Sequence, residues 1–129
     1  MKSSAQTMPH DHGDISFILE TMPNRDICMQ TSERFKQLSD PTRLQIFWLL
    51  CHSEECVLNI AAAIDMSPPA VSHHLRCLRQ AGLISGRRVG KEVRYSLADT
   101  EEAQLLHHIV DKLLKSICPK GVSCYEHTD

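Results

Sequence analysis

Apolar residues recur along the chain with helical spacing in five stretches and with strand alternation in one. Ile27, Phe35 and Leu38 mark a helix over 25–38. Leu44, Phe47, Trp48 and Cys51 mark a second helix, and Asp40-Pro41 starts it with an acidic N-cap and a proline where no backbone donor is needed. Val57, Ile60, Ala61 and Ile64 share one face of a helix over 54–64 that Ser53 can cap. Asp65-Met66-Ser67 leaves room only for a tight turn, after which Ser67 caps a helix with Pro68 and Pro69 in its first turn. That helix carries an inner stripe of Val71, Leu75 and Leu78 and ends at Gly82. Val93, Tyr95 and Leu97 alternate with Glu92, Arg94 and Ser96, so 92–97 reads as a strand paired with 83–88 around Val89-Gly90-Lys91.

A last helix follows the capping-box spacing of 99–102 and runs to about 117. Its apolar positions, from Leu105 to Ile117, form a stripe wider than a small domain covers alone, and a second copy of the chain would bury it. Residues 15–19 form a short helix or anchor before the break at Pro23-Asn24. The organisation is a flexible tail over 1–23, one helix-rich domain with a β-hairpin over 24–117, and a tail over 118–129.

Charge sharpens this picture. Between residues 66 and 94 lie Arg76, Arg79, Arg87, Arg88, Lys91 and Arg94 against the single acid Glu92, a segment charge of +5. A formal net charge of −2 therefore leaves −7 for the remainder. A cationic block on an acidic body attracts phosphate locally while the whole chain stays soluble. Two helices joined by a tight turn and followed by a basic hairpin have the order of a winged helix-turn-helix. Ser67, Pro69, Ser72, His73 and Arg76 lie at the start of the fourth helix, where short polar side chains let it enter a major groove. Arg87, Arg88, Lys91 and Arg94 lie on the hairpin, within reach of flanking phosphates or the minor groove. His74 and Cys77 fall beside the core stripe and are expected to pack.

Residues 66–83 (MSPPAVSHHLRCLRQAGL) and 90–97 (GKEVRYSL) resemble the ArsR/SmtB family of metal-responsive repressors, and residues 39–43 (SDPTR) resemble the start of its second helix. The resemblance covers about 35–117. It implies a homodimer joined through the first and last helices, binding a double-stranded DNA operator and releasing it when an inducer arrives. Many members carry a polar residue, often Gln, where Pro68 stands, so one base contact differs here.

The family's last-helix zinc pattern maps onto Asp99, Glu101, Lys112 and Lys115. An ammonium cannot ligate a metal, so that site is expected to be absent, with His107 and His108 on the helix surface. The family's Cys-Val-Cys pattern is half kept as Cys56-Val57-Leu58, and a third pattern is half kept in Cys77 and the tail's Cys124. The ligand set expected for a soft inducer, namely cadmium, lead, As(III) or zinc, is Cys28, Cys51, Cys56 and Cys118. Cys56 in a helix first turn would favour its thiolate. An alternative switch is covalent, with Cys51 and Cys118 oxidised or bridged by reactive sulfur.

Six cysteines without a Cys-x-x-Cys and with no secretory leader point to a cytoplasmic chain without structural disulfides. No apolar run reaches a membrane span. A thiol enzyme or metal-storage protein would leave the basic block unexplained.

Overall fold

The computed structural model describes residues 8–115, which divide into two compact units, one ending at Ser32 and the other starting at Glu33. In the first, α1 (Ser16–Thr21) follows Asp14, whose carboxylate accepts from the Ser16 amide and hydroxyl. Asn24 accepts from the Ile27 amide at the start of α2 (Arg25–Gln37).

The second unit is built on α3 (Pro41–His52). Asp40 caps it by accepting from the Arg43 amide at 2.9 Å, and Pro41 fills its first turn. Ile46, Phe47, Leu50 and Cys51 are buried along it, and it packs against α4, α5, α6 and the sheet. The short α4 (Val57–Ile64) ends on Asp65 in the left-handed region, a conformation that Asp tolerates better than most residues. One more residue brings the chain to Ser67, whose hydroxyl accepts from the Ala70 amide and caps α5 (Pro68–Gln80). Val71, Leu75 and Leu78, spaced four and three apart, are the buried face of α5. Gly82, at φ +77°, turns the chain out of α5, and the Leu83 amide donates back to the Leu78 carbonyl.

The sheet has the order β1-β3-β2, all antiparallel, with β1 (Glu55–Cys56), β2 (Ile84–Val89) and β3 (Glu92–Leu97). Here the structure corrects the expected helix over 54–64. Glu55 and Cys56 are extended and pair with Tyr95 and Arg94, so the helix starts at Val57 and Cys56 occupies its N-cap rather than its first turn. Within the hairpin, Gly86 lies under the Tyr95 ring, where an added Cβ would approach to 3.1 Å of Cε1.

The last helix, α6 (Glu101–Leu114), is capped by Thr100 accepting from the Ala103 amide, one residue later than the capping-box spacing placed the cap. It buries Ala103, Leu106, His107, Val110 and Asp111. Leu105, Leu113 and Leu114 remain 59 %, 76 % and 49 % exposed, which is the overwide apolar stripe the sequence predicts. Ile117 and the C-terminal tail lie outside the described residues.

Phe47 is fully buried in the core cluster, so Phe47→Ala is expected to cost about 3–5 kcal/mol. Loss of the single cap in Ser67→Ala should cost about 1 kcal/mol. Urea unfolding followed by far-UV circular dichroism checks both values.

Candidate nucleic-acid interface

The α4–turn–α5 pair presents the residues expected to contact DNA on its solvent side. Pro69, His73 and Arg76 are exposed, and Ser72 is half-buried. Ser67 is exposed too, but its hydroxyl oxygen is committed to capping α5. Ser72, Leu75, Arg76, Arg79 and Gln80 of α5 and Tyr95 of β3 together line a groove of about 420 Å³. This groove joins the fourth helix of the sequence pattern to the hairpin and adds Arg79, which the sequence marked only as part of the basic block.

The four hairpin cations are not equivalent. Arg87 and Arg94 are directly opposite in the β2–β3 register, and like charges so placed repel. Each is answered by a carboxylate. Arg87 donates from Nε and from a terminal nitrogen to the two oxygens of Glu54, both at 2.6 Å, and Arg94 Nε donates to Glu92 at 2.8 Å. The Arg87 contact holds the Glu54 carboxyl below the usual carboxylate range and raises the arginine further. Two of the four hairpin cations expected to reach DNA are thus already engaged by carboxylates. Their exposure keeps such pairs weak, so phosphate competes for them on nearly even terms. Arg88 and Lys91 are exposed beside the turn at Gly90, whose φ is +63°.

Behind α5, Arg43 Nε donates to His74 Nδ1 at 3.2 Å and its Nη1 donates to Gln37 Oε1. His74 is thus a packed, hydrogen-bonded residue, as its place beside the stripe implied. Its pKa is lowered, first by burial and then by the Arg43 charge. Cys77 Sγ lies 3.9 Å from His73 Nε2.

The cysteines expected as ligands fall in different settings. Cys51 is a core residue, 7 % exposed, and burial, helped by the Asp111 charge, pushes its thiol up. This corrects its assignment to a thiolate set. Cys56 is half-buried at the end of β1, and Cys28 is exposed in the other unit. Cys118 and Cys124 lie outside the described residues. A second correction concerns His107, which is fully buried rather than on the surface of α6 and sits with His52 and Asp111. Sequence reasoning missed this trio. The His-x-x-x-Asp spacing on α6 was visible, but nothing local tied it to His52.

Residues 40–85 match the model of the bacterial regulatory protein, arsR family. The chain is 44 % identical over 91 residues to the transcriptional repressor SmtB homolog of Synechocystis, covering 70 % of this chain and 69 % of that protein. It is 37 % identical over 107 residues to the cadmium resistance transcriptional regulatory protein CadC homolog of Staphylococcus aureus, covering 77 % and 88 %. Among solved structures, the homodimeric winged helix-turn-helix DNA-binding domain from Mycobacterium bovis superposes with a TM-score of 0.63 at 30 % identity, covering 74 % of this chain and 89 % of that one.

Because His74 is depressed, its folded form takes up a proton later than the unfolded chain. Its contribution is neutral above about pH 6.5 and destabilising as the pH falls below that value. An NMR titration of the imidazoles should find His74 below the ordinary histidine value. In Arg43→Gln it should move up but stay depressed, because burial remains.

Proposed function

The chain belongs to the arsR family of bacterial regulatory proteins, and on that premise we propose that it is a cytoplasmic, homodimeric repressor that binds operator DNA and is released by a metal or metalloid ion. The observation that carries the DNA-binding half is the groove shared by α5 and β3, flanked by the exposed cations of the hairpin. In this reading Ser72, His73 and Arg76 meet base edges in the major groove, with Ser67 and Pro69 at the helix start against the backbone. Arg88 and Lys91 meet phosphates at once, and Arg87 and Arg94 do so by exchanging Glu54 and Glu92 for DNA oxygens. Among the described residues no helix is long and apolar enough to cross a membrane.

The dimer follows from unmatched apolar surface. Leu113 is 76 % exposed at the rim of an apolar hollow of about 200 Å³ that Phe35, Leu38, Leu106 and Ile109 also line. A second copy related by a two-fold axis would cover both hollows at once and set two recognition helices about one DNA turn apart. Support for an ionic inducer comes from the cadmium-resistance name of the Staphylococcus aureus relative. Of the thiols expected to hold a soft ion, Cys28, Cys51, Cys56 and Cys118, Cys51 is the one buried in the core among the described residues.

Fluorescence anisotropy with a duplex from the region upstream of the protein's own gene tests the DNA-binding half, and no binding in any metal state would contradict it. Arg76→Ala should lose about 1–3 kcal/mol and relax specificity at one base pair, whereas Arg88→Ala should weaken all sequences alike. Glu54→Gln, which releases Arg87, should tighten binding. Leu113→Glu should yield a monomer in light scattering, with operator affinity abolished alongside the dimer.

A further inference from the structure

The buried trio at the end of α3 lines no part of the groove and includes none of the residues that the family resemblance implied as ligands. We propose that His52, His107 and Asp111 form a site for a divalent cation of the zinc, cobalt or nickel class, and that filling it weakens DNA binding. The regulatory part rests on the repressor function proposed above.

The geometry is close to that of a metal centre. His107 Nε2 lies 3.0 Å from Asp111 Oδ2, and His52 Nε2 lies 3.5 Å from Asp111 Oδ1. One ligand atom from each residue can be chosen so that all three lie within 4.8 Å of one another. Donors at about 2.0–2.1 Å from a tetrahedral zinc are about 3.3 Å apart, so only a modest contraction is needed. His107 and Asp111 stand four residues apart on α6, which puts both on the face towards α3. The rings are held in place: Trp48 packs on His52 with centroids 4.5 Å apart, and His52 meets His107 edge to face at 5.0 Å.

Two imidazoles and one carboxylate select borderline cations over the softer cadmium, lead or As(III), and leave a fourth position for water. The site is also shielded from water. Asp111 is 3 % exposed and His107 is not exposed at all.

The site is also placed to act on the hairpin. His52 is the last residue of α3, and Glu54, two residues on, holds Arg87. Glu55 then pairs with Tyr95, which lines the groove. Drawing His52 towards α6 moves the segment that anchors both the Arg87 clamp and the edge of the sheet.

The test uses the full chain, stripped of metal and kept under a non-thiol reductant. Titration with Co(II) should show uptake of one ion per protomer, with d–d absorption and no sulfur-to-metal charge-transfer band. Asp111→Asn and His52→Gln should each weaken uptake by about 10–100-fold, with circular dichroism confirming that they fold. If neither variant folds, the wild-type spectrum decides alone. In the anisotropy assay, saturating Zn(II) should weaken wild-type DNA binding by about tenfold and leave Asp111→Asn unaffected. Absence of Co(II) uptake by the wild type, a thiolate charge-transfer band, uptake undiminished in folded variants, or DNA binding indifferent to Zn(II) would each overturn the proposal. If the metal-free protein binds no DNA while the variants still fail to take up Co(II), the repressor function fails and the cation site stands.

Discussion

Everything in the second unit depends on the burial of α3. A helix apolar on nearly all sides is stable only if other elements surround it, and here α4, α5, α6 and β3 do so. That requirement fixes the DNA-facing helix, the hairpin and the last helix relative to one another. Removing apolar surface from water at roughly 25 cal/mol per Å² makes this the largest favourable contribution to folding. It has a second consequence. The polar group at the buried end of α3, His52, has to meet polar partners, and α6 supplies them with a histidine and an aspartate one turn apart.

Electrostatics then shapes the hairpin. Pairing Arg87 with Arg94 across two strands concentrates charge where DNA phosphates would lie, at the cost of repulsion before DNA arrives. Glu54 and Glu92 relieve that repulsion with ion pairs weak enough, at exposed sites, to be exchanged for phosphate. Of the two, only Glu54 comes from outside the hairpin. Its position after α3 makes it the natural link between the interior of the domain and the DNA-facing surface.

Most of the fold was legible in the sequence because its signals are local. Asp40-Pro41, Ser67-Pro68 and Gly82 mark helix ends by their own chemistry, and the alternation over 92–97 needs no distant partner. What escaped was non-local. Glu55 and Cys56 form a strand only because β3 lies beside them; their own composition equally suits a helix start. The Glu54–Arg87 pair spans 33 residues, and His52 meets His107 across 55 positions of chain, so neither had a sequence pattern to announce it. His107 looked like a surface histidine because the face of α6 towards the core is set by Leu106 and Val110 together with a polar pair, which apolar periodicity alone does not include.

The most direct test of the DNA-facing surface is the salt dependence of DNA binding. If the hairpin cations engage phosphates, the logarithm of the binding constant should fall steeply and linearly with the logarithm of salt concentration. Replacing both Arg88 and Lys91 by alanine should reduce that slope by about 0.9 for each phosphate that is no longer neutralised. A shallow slope in the wild type, or one that the double substitution leaves unchanged, would contradict the assignment of this surface to DNA.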